Sequence, residues 1–184
     1  MKKQNIFKFN FAEGDDSDNF YLNTTNQEAY NNIIKSNHNC IYLKGPRKSG
    51  KSLLGKIWLN KNDALKYDNN FKLILKVKRN IVVDNLDYKI NEEEIFHIIN
   101  HCKFYNLKIL VISNYSVNEL NFDLKDIISR LRAFIYCKIN LPDDDMLLNI
   151  LTKLFIDKQF IINSHDIFDF ILKRANRSYS EMIN

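Results

Sequence analysis

Residues Gly45-Pro46-Arg47-Lys48-Ser49-Gly50-Lys51-Ser52 fill the spacing G-x-x-x-x-G-K-[ST] without a gap, and no other stretch constrains the fold as strongly. Glycines at the two fixed positions let the backbone curl, so that successive N–H groups and the start of a following helix converge on one point. Such a loop binds phosphate oxygens, with Lys51 reaching the terminal phosphates and Ser52 offering a hydroxyl to Mg²⁺. The chain has only four glycines, and three of them, Gly45, Gly50 and Gly55, fall inside this segment or just after it.

The flanking sequence fits that geometry. Cys40 to Lys44 (CIYLK) is a short apolar run stopped by Gly45-Pro46, which predicts a buried strand, and Ser52 to Leu59 predicts a helix. Downstream, Ile81 to Asp84 (IVVD) predicts a second strand ending in an acid. Residues 71–77 fit either strand or helix. Glu92 to Phe104 has apolar residues at helical spacing, Leu107 to Ser113 is the clearest strand, Asp123 to Arg132 reads as helix, and Phe134 to Ile139 reads as strand. Asn26 to Lys35 predicts an earlier helix, and beyond Pro142 only helices are expected, at about 144–158, 165–174 and from 178 onward.

Strands alternating with helices, then helices alone, imply an α/β fold: a parallel sheet flanked by helices, followed by a short helical lid. The expected division is a leader over residues 1–19, a nucleotide-binding domain over 20–141, and a lid over 142–184 that reads as shortened. A 45% hydrophobic fraction suffices for a core around such a sheet. The net charge of +5 comes with heavy use of Asn, Ile and Lys, as in an AT-rich genome, and is not taken as a sign of nucleic-acid binding. Cys40, Cys102 and Cys137 are widely spaced and read as reduced thiols. No apolar signal core and no run of about 18 apolar residues is present, so the expectation is a cytoplasmic protein with no membrane contact.

Asp84 stands where a P-loop site needs a carboxylate for the Mg²⁺ shell. The next residue is Asn85, and an amide cannot take a proton from water, so weak intrinsic ATP hydrolysis is expected. Asn114 closes the strand ending at Ser113 and can sense a γ-phosphate. Arg130, in Ser129-Arg130-Leu131, is a candidate arginine finger.

These residues resemble the DnaA-type AAA+ ATPase family, and within it the short Hda-like regulatory inactivators of alphaproteobacterial type. The resemblance runs from about Asn19 to the C-terminus. It is carried by Asn26-Gln27-Glu28-Ala29, the P-loop, Val82-Val83-Asp84, Glu94 to Asn100, Asp126 to Arg132, Leu141 to Leu148, Lys153 to Gln159 and Leu172-Lys173-Arg174. It implies an AAA+ fold, ADP or ATP in the loop, and Arg130 facing another protein's ATP. It also implies that Gln4-Asn5-Ile6-Phe7-Lys8-Phe9 is a peptide docking on the DNA sliding clamp through Gln4, Phe7 and Phe9. The partners implied are the initiator DnaA and the clamp, with DNA reached indirectly and initiation regulated negatively. The chain departs from the family at Ser180, where a sensor II arginine is expected; either the nearby Arg177 substitutes or the nucleotide is gripped loosely. A different reading of the same residues is a DNA-linked AAA+ ATPase, such as a helicase loader or a DnaA-like initiator fragment.

Overall fold

The computed structural model describes residues 20–87, 90–159, 166–174 and 177–183. Residues 1–19, with the peptide containing Gln4, Phe7 and Phe9, lie outside the described residues.

Five parallel strands form one sheet in the order β2-β3-β4-β1-β5. They are β1 (Cys40–Lys44), β2 (Leu65–Lys66), β3 (Ile81–Leu86), β4 (Ile109–Ser113) and β5 (Ile135–Lys138). Tyr42 sits in register with Val111 on one side and Tyr136 on the other, and Val83 pairs with Val111. All five residues of β4 are buried, the pattern of a central strand covered on both faces.

Alternation along the strands sorts the core into two layers. Ile41, Leu43, Val82, Leu110 and Ile112 face helices α1 (Gln27–Tyr30, extended by a π-helical turn over Asn31–Lys35) and α2 (Lys51–Lys61), packing on Ile33, Leu54, Ile57 and Trp58. Tyr42, Ile81, Val83, Ile109 and Val111 face the other way, onto Ile74 of α3 (Phe71–Lys76), Ile95, Ile98 and Ile99 of α4 (Glu92–Phe104), and Ile127 and Leu131 of α5 (Lys125–Arg132). The helices α6 (Asp144–Asp157), α7 (Asp166–Arg174) and α8 (Tyr179–Ile183) share a small cluster of Leu147, Leu151, Phe168 and Met182. Met146 and Tyr179 belong instead to the α1/α2 layer, which ties the lid to the sheet near the end of β1.

One open alternative is resolved, and one element is new. Residues 71–76 are helical, capped by Asn70, whose Oδ1 accepts from the Leu73 N–H at 3.2 Å. The two-residue edge strand β2 has no counterpart among the expected strands, being too short for any periodicity to show.

Candidate functional site

β1, β3 and β4 are adjacent in the sheet, and their C-terminal ends open on the crevice where ligands bind in open α/β folds. The loop leaving β1 enters α2 at Lys51. Its curl has local causes. The Gly45 N–H donates to Ser113 O at 3.3 Å, and the Ser49 N–H returns to Pro46 O at 3.3 Å. A Cβ on Gly45 would meet Ser49 Oγ at 3.0 Å and Ile139 Cβ at 3.1 Å. Gly50 has φ 84°, and a Cβ there would lie 2.9 Å from the Phe20 ring. No side chain caps the start of α2, so its first-turn N–H groups are left to an anion from solvent or ligand.

Lys51 is the only buried charged side chain among the described residues. Its ammonium donates to Pro46 O, and burial pulls its pKa down from 10.5 to about 8, against an opposing pull from the Asp84 charge. Ser49 Oγ is buried with no hydrogen-bond partner, an orphaned hydroxyl of the kind that marks an unfinished polar site.

Asp84 faces the start of α2. Its Oδ1 accepts from Ser52 Oγ at 3.2 Å, and its Oδ2 pairs with Lys66 Nζ at 3.0 Å. An oxygen separation of that size suits two adjacent ligands of a metal bound octahedrally at 2.0–2.1 Å, whose edge is roughly 2.9 Å. No group of three or more His, Cys, Asp or Glu converges among the described residues, so a metal here would need phosphate and water as its remaining ligands. Ser52 and Asp84 therefore fit magnesium in the company of a nucleotide and no self-contained metal cage.

Arg47, Lys48, Lys51, Ser52, Asp84, Asn85 and Asn114 line one cavity of about 380 Å³, together with Asp87, Ser113 and Tyr115. Ser113 fixes its far wall, because its hydroxyl donates to Leu86 O at 2.6 Å and accepts from the Tyr115 N–H at 3.0 Å. Lys48, Ser49 and Gly50 also line a neighbouring, mostly apolar cavity of about 290 Å³, with Phe20, Tyr21, Asn26, Leu53, Met146, Ile150 and Tyr179. Gly45 and Pro46 border a third, beside Asn114 and Lys138. Four residues of the predicted phosphate loop, Arg47, Lys48, Lys51 and Ser52, thus share a cavity with Asp84 and Asn114, and the other four border the two cavities beside it.

Arg130 stands apart. It lies on α5, lines none of these cavities, and its guanidinium rests over the Phe96 ring at 4.8 Å. Ser180 Oγ is 3.4 Å from Ser178 Oγ. Arg177, the suggested substitute for a sensor II arginine, pairs with Asp144 at 3.1 Å on the lid surface and lines none of the three cavities. The partner of that guanidinium in this structure is Asp144.

Sequence reasoning missed Lys66 and the apolar cavity. Phe20, Met146 and Tyr179 are too far apart in the chain for spacing to connect them. Asn26 was visible as the start of an expected helix and within the family-like segment Asn26-Gln27-Glu28-Ala29, but not as a lining residue.

No family model and no curated protein matches the sequence. Solved structures do match. The AMPPCP-bound DnaA of Aquifex aeolicus aligns at a TM-score of 0.73 and 17% identity over 91% of this chain and 62% of that one. Domain III of the Thermotoga maritima initiation protein DnaA aligns at 0.69 and 13% identity, over 90% of this chain and 82% of that one. The FIGL-1 AAA domain in complex with ADP aligns at 0.61 and 17% identity, over 85% and 66%. This chain therefore spans less than two thirds of the Aquifex protein. The likeness is one of fold, and the fold is that of a DnaA-like AAA+ P-loop NTPase with short C-terminal helices.

Proposed function

We propose that the chain is an adenine-nucleotide-binding regulator of replication initiation. It holds ADP or ATP with Mg²⁺ in the loop 45–52, docks on the DNA sliding clamp through Gln4, Phe7 and Phe9, and presents Arg130 to the ATP of a DnaA molecule. The observation that carries the nucleotide reading is the meeting of Lys51, Ser52, Asp84 and Asn114 around one cavity beside an uncapped helix start. The AMPPCP and ADP held by two fold neighbours support an adenine nucleotide. The apolar slot between Phe20, Met146 and Tyr179 offers faces for a purine next to Gly50.

The regulatory part draws support from the contrast between two residues. The residue directly after Asp84 is the amide Asn85 and not an acid, and Arg130 lies outside the cavity, over the Phe96 ring where α4 meets α5. That placement leaves Arg130 available to a neighbour's nucleotide, where an arginine finger spreads transition-state charge.

Labelled ADP should bind saturably in magnesium buffer and fail to bind Lys51→Ala. With clamp-loaded DNA and ATP-loaded DnaA, the wild type should accelerate hydrolysis and Arg130→Ala should not. Equal hydrolysis by the two proteins would refute the regulatory reading, and strong turnover without DnaA would favour a DNA-linked ATPase.

A further inference from the structure

Both oxygens of the Asp84 carboxylate are engaged by the chain itself. Ser52 takes one, and Lys66 takes the other at 3.0 Å. Lys66 reaches it from the edge strand β2, where it pairs with Val82, two positions before Asp84 along β3. Side chains two apart on a strand share a face, so the register carries the lysine stem toward the carboxylate. The pair is lopsided in exposure: the Asp84 side chain is 13% exposed and the Lys66 side chain 57%. The acid is fixed in the site, and the base hangs over it from solvent on a flexible four-carbon stem.

We propose that Lys66 is a tethered cation that competes with magnesium for Asp84, so the loop takes up a nucleoside diphosphate in metal-poor form. This inference rests on reading the loop as an adenine-nucleotide site. A carboxylate that is mostly buried requires a counter-charge, and an ammonium at 3.0 Å supplies one without any metal. Magnesium carries twice the charge but sheds its water reluctantly and demands near-octahedral oxygen ligands. An ammonium and a divalent ion on the same carboxylate repel each other, so occupancy by one disfavours the other. Metal binding then requires the lysine to swing outward, which its exposed position allows. A triphosphate, with more charge to neutralise, draws the metal in more strongly than a diphosphate does. Lys66 thereby sets the magnesium level at which the site passes from one form to the other.

The test is binding of fluorescently labelled ADP to the full chain, titrated with free Mg²⁺ from an EDTA baseline. Wild type is compared with Lys66→Met, which keeps the stem, and Lys66→Arg, which keeps the charge. Exposed ion pairs alter an equilibrium by no more than about fivefold, so the Mg²⁺ midpoint of Lys66→Met should fall by about threefold to fivefold. Its ADP affinity in EDTA should weaken by a similar factor, and Lys66→Arg should follow the wild type. Mn²⁺ binding to the ADP-loaded proteins, read by electron paramagnetic resonance, should strengthen in Lys66→Met alone. Coincident Mg²⁺ curves for wild type and Lys66→Met would overturn the role of Lys66 and leave the nucleotide site intact. Absence of saturable ADP binding by the wild type would overturn the nucleotide reading and this inference with it.

Discussion

The guanidinium of Arg130 lies over the ring of Phe96, 4.8 Å from its centroid, so one helix face of α4 holds the cation that α5 presents. Stacking of this kind contributes about 0.5–1 kcal/mol at a part-exposed site and, more to the point, narrows the rotamers available to the arginine. Replacing Phe96 by Leu keeps bulk and removes the π face. The expected outcome is a several-fold loss in DnaA-dependent hydrolysis with unchanged ADP affinity in the chain's own loop. Unaltered hydrolysis by Phe96→Leu would show that the stack does not position Arg130.

Gly55 gives a second, purely structural expectation. A Cβ there would come within 2.5 Å of Ile112 Cδ1, in the centre of the sheet. Gly55→Ala gains about 1 kcal/mol of helix propensity in α2 but forces overpacking that costs about 1–3 kcal/mol. A net destabilisation of up to about 2 kcal/mol is expected in urea unfolding. Ile112→Val deletes the clashing methyl. The double variant should therefore be at least as stable as Ile112→Val alone, a departure from additivity that identifies this contact as the cause.

Lys51 makes the pH dependence of folding and of binding run in opposite directions. Its folded pKa is lowered from 10.5 to about 8, chiefly by burial. Between those two values the unfolded chain still holds a proton that the folded chain has released, so this residue's contribution to stability rises with pH. Below about 8 both states are protonated and the contribution stays flat. Nucleotide affinity should instead fall as pH passes about 8, because the phosphates lose their cation. Urea unfolding of wild type against Lys51→Met isolates the first effect as a difference that grows over this window. A difference that is flat or shrinks with rising pH would contradict the buried-lysine account.

The sequence made the phosphate loop and Asp84 legible because both rest on local rules: a glycine spacing, and an acid closing an apolar strand. Asn70 was equally local, yet the helix at 71–76 stayed ambiguous because Leu73 and Leu75 are exposed and only Ile74 is buried, which blurs both periodicities. The apolar cavity escaped for another reason. It joins Phe20 to Met146 and Tyr179 through the packing of the lid onto the α1/α2 layer, and no spacing rule reaches that far. Lys66 depended on the register of a two-residue edge strand, information that exists only once the sheet has formed. The pairing of Arg177 with Asp144 at the start of α6 is another contact between distant positions that no spacing rule announces.

Asn85 combines a backbone constraint with a chemical one. It has φ 63° at the break in register between Val83 and Leu86, and its side chain lines the phosphate cavity. Asn and Asp adopt this left-handed conformation more readily than other non-glycine residues. Asn85→Ala should therefore cost about 1 kcal/mol of stability, and Asn85→Gly should cost nothing or stabilise slightly. Chemically, the amide cannot accept a proton from an attacking water, so steady-state turnover by the wild type should be slow. Asn85→Asp keeps the backbone conformation and supplies a base beside Asp84. Phosphate release at saturating ATP and magnesium should rise by about tenfold or more, a conservative share of what general-base catalysis gives. Asn85→Ala should stay at the wild-type rate. Equal turnover in wild type and Asn85→Asp would mean that the missing acid is not what limits hydrolysis.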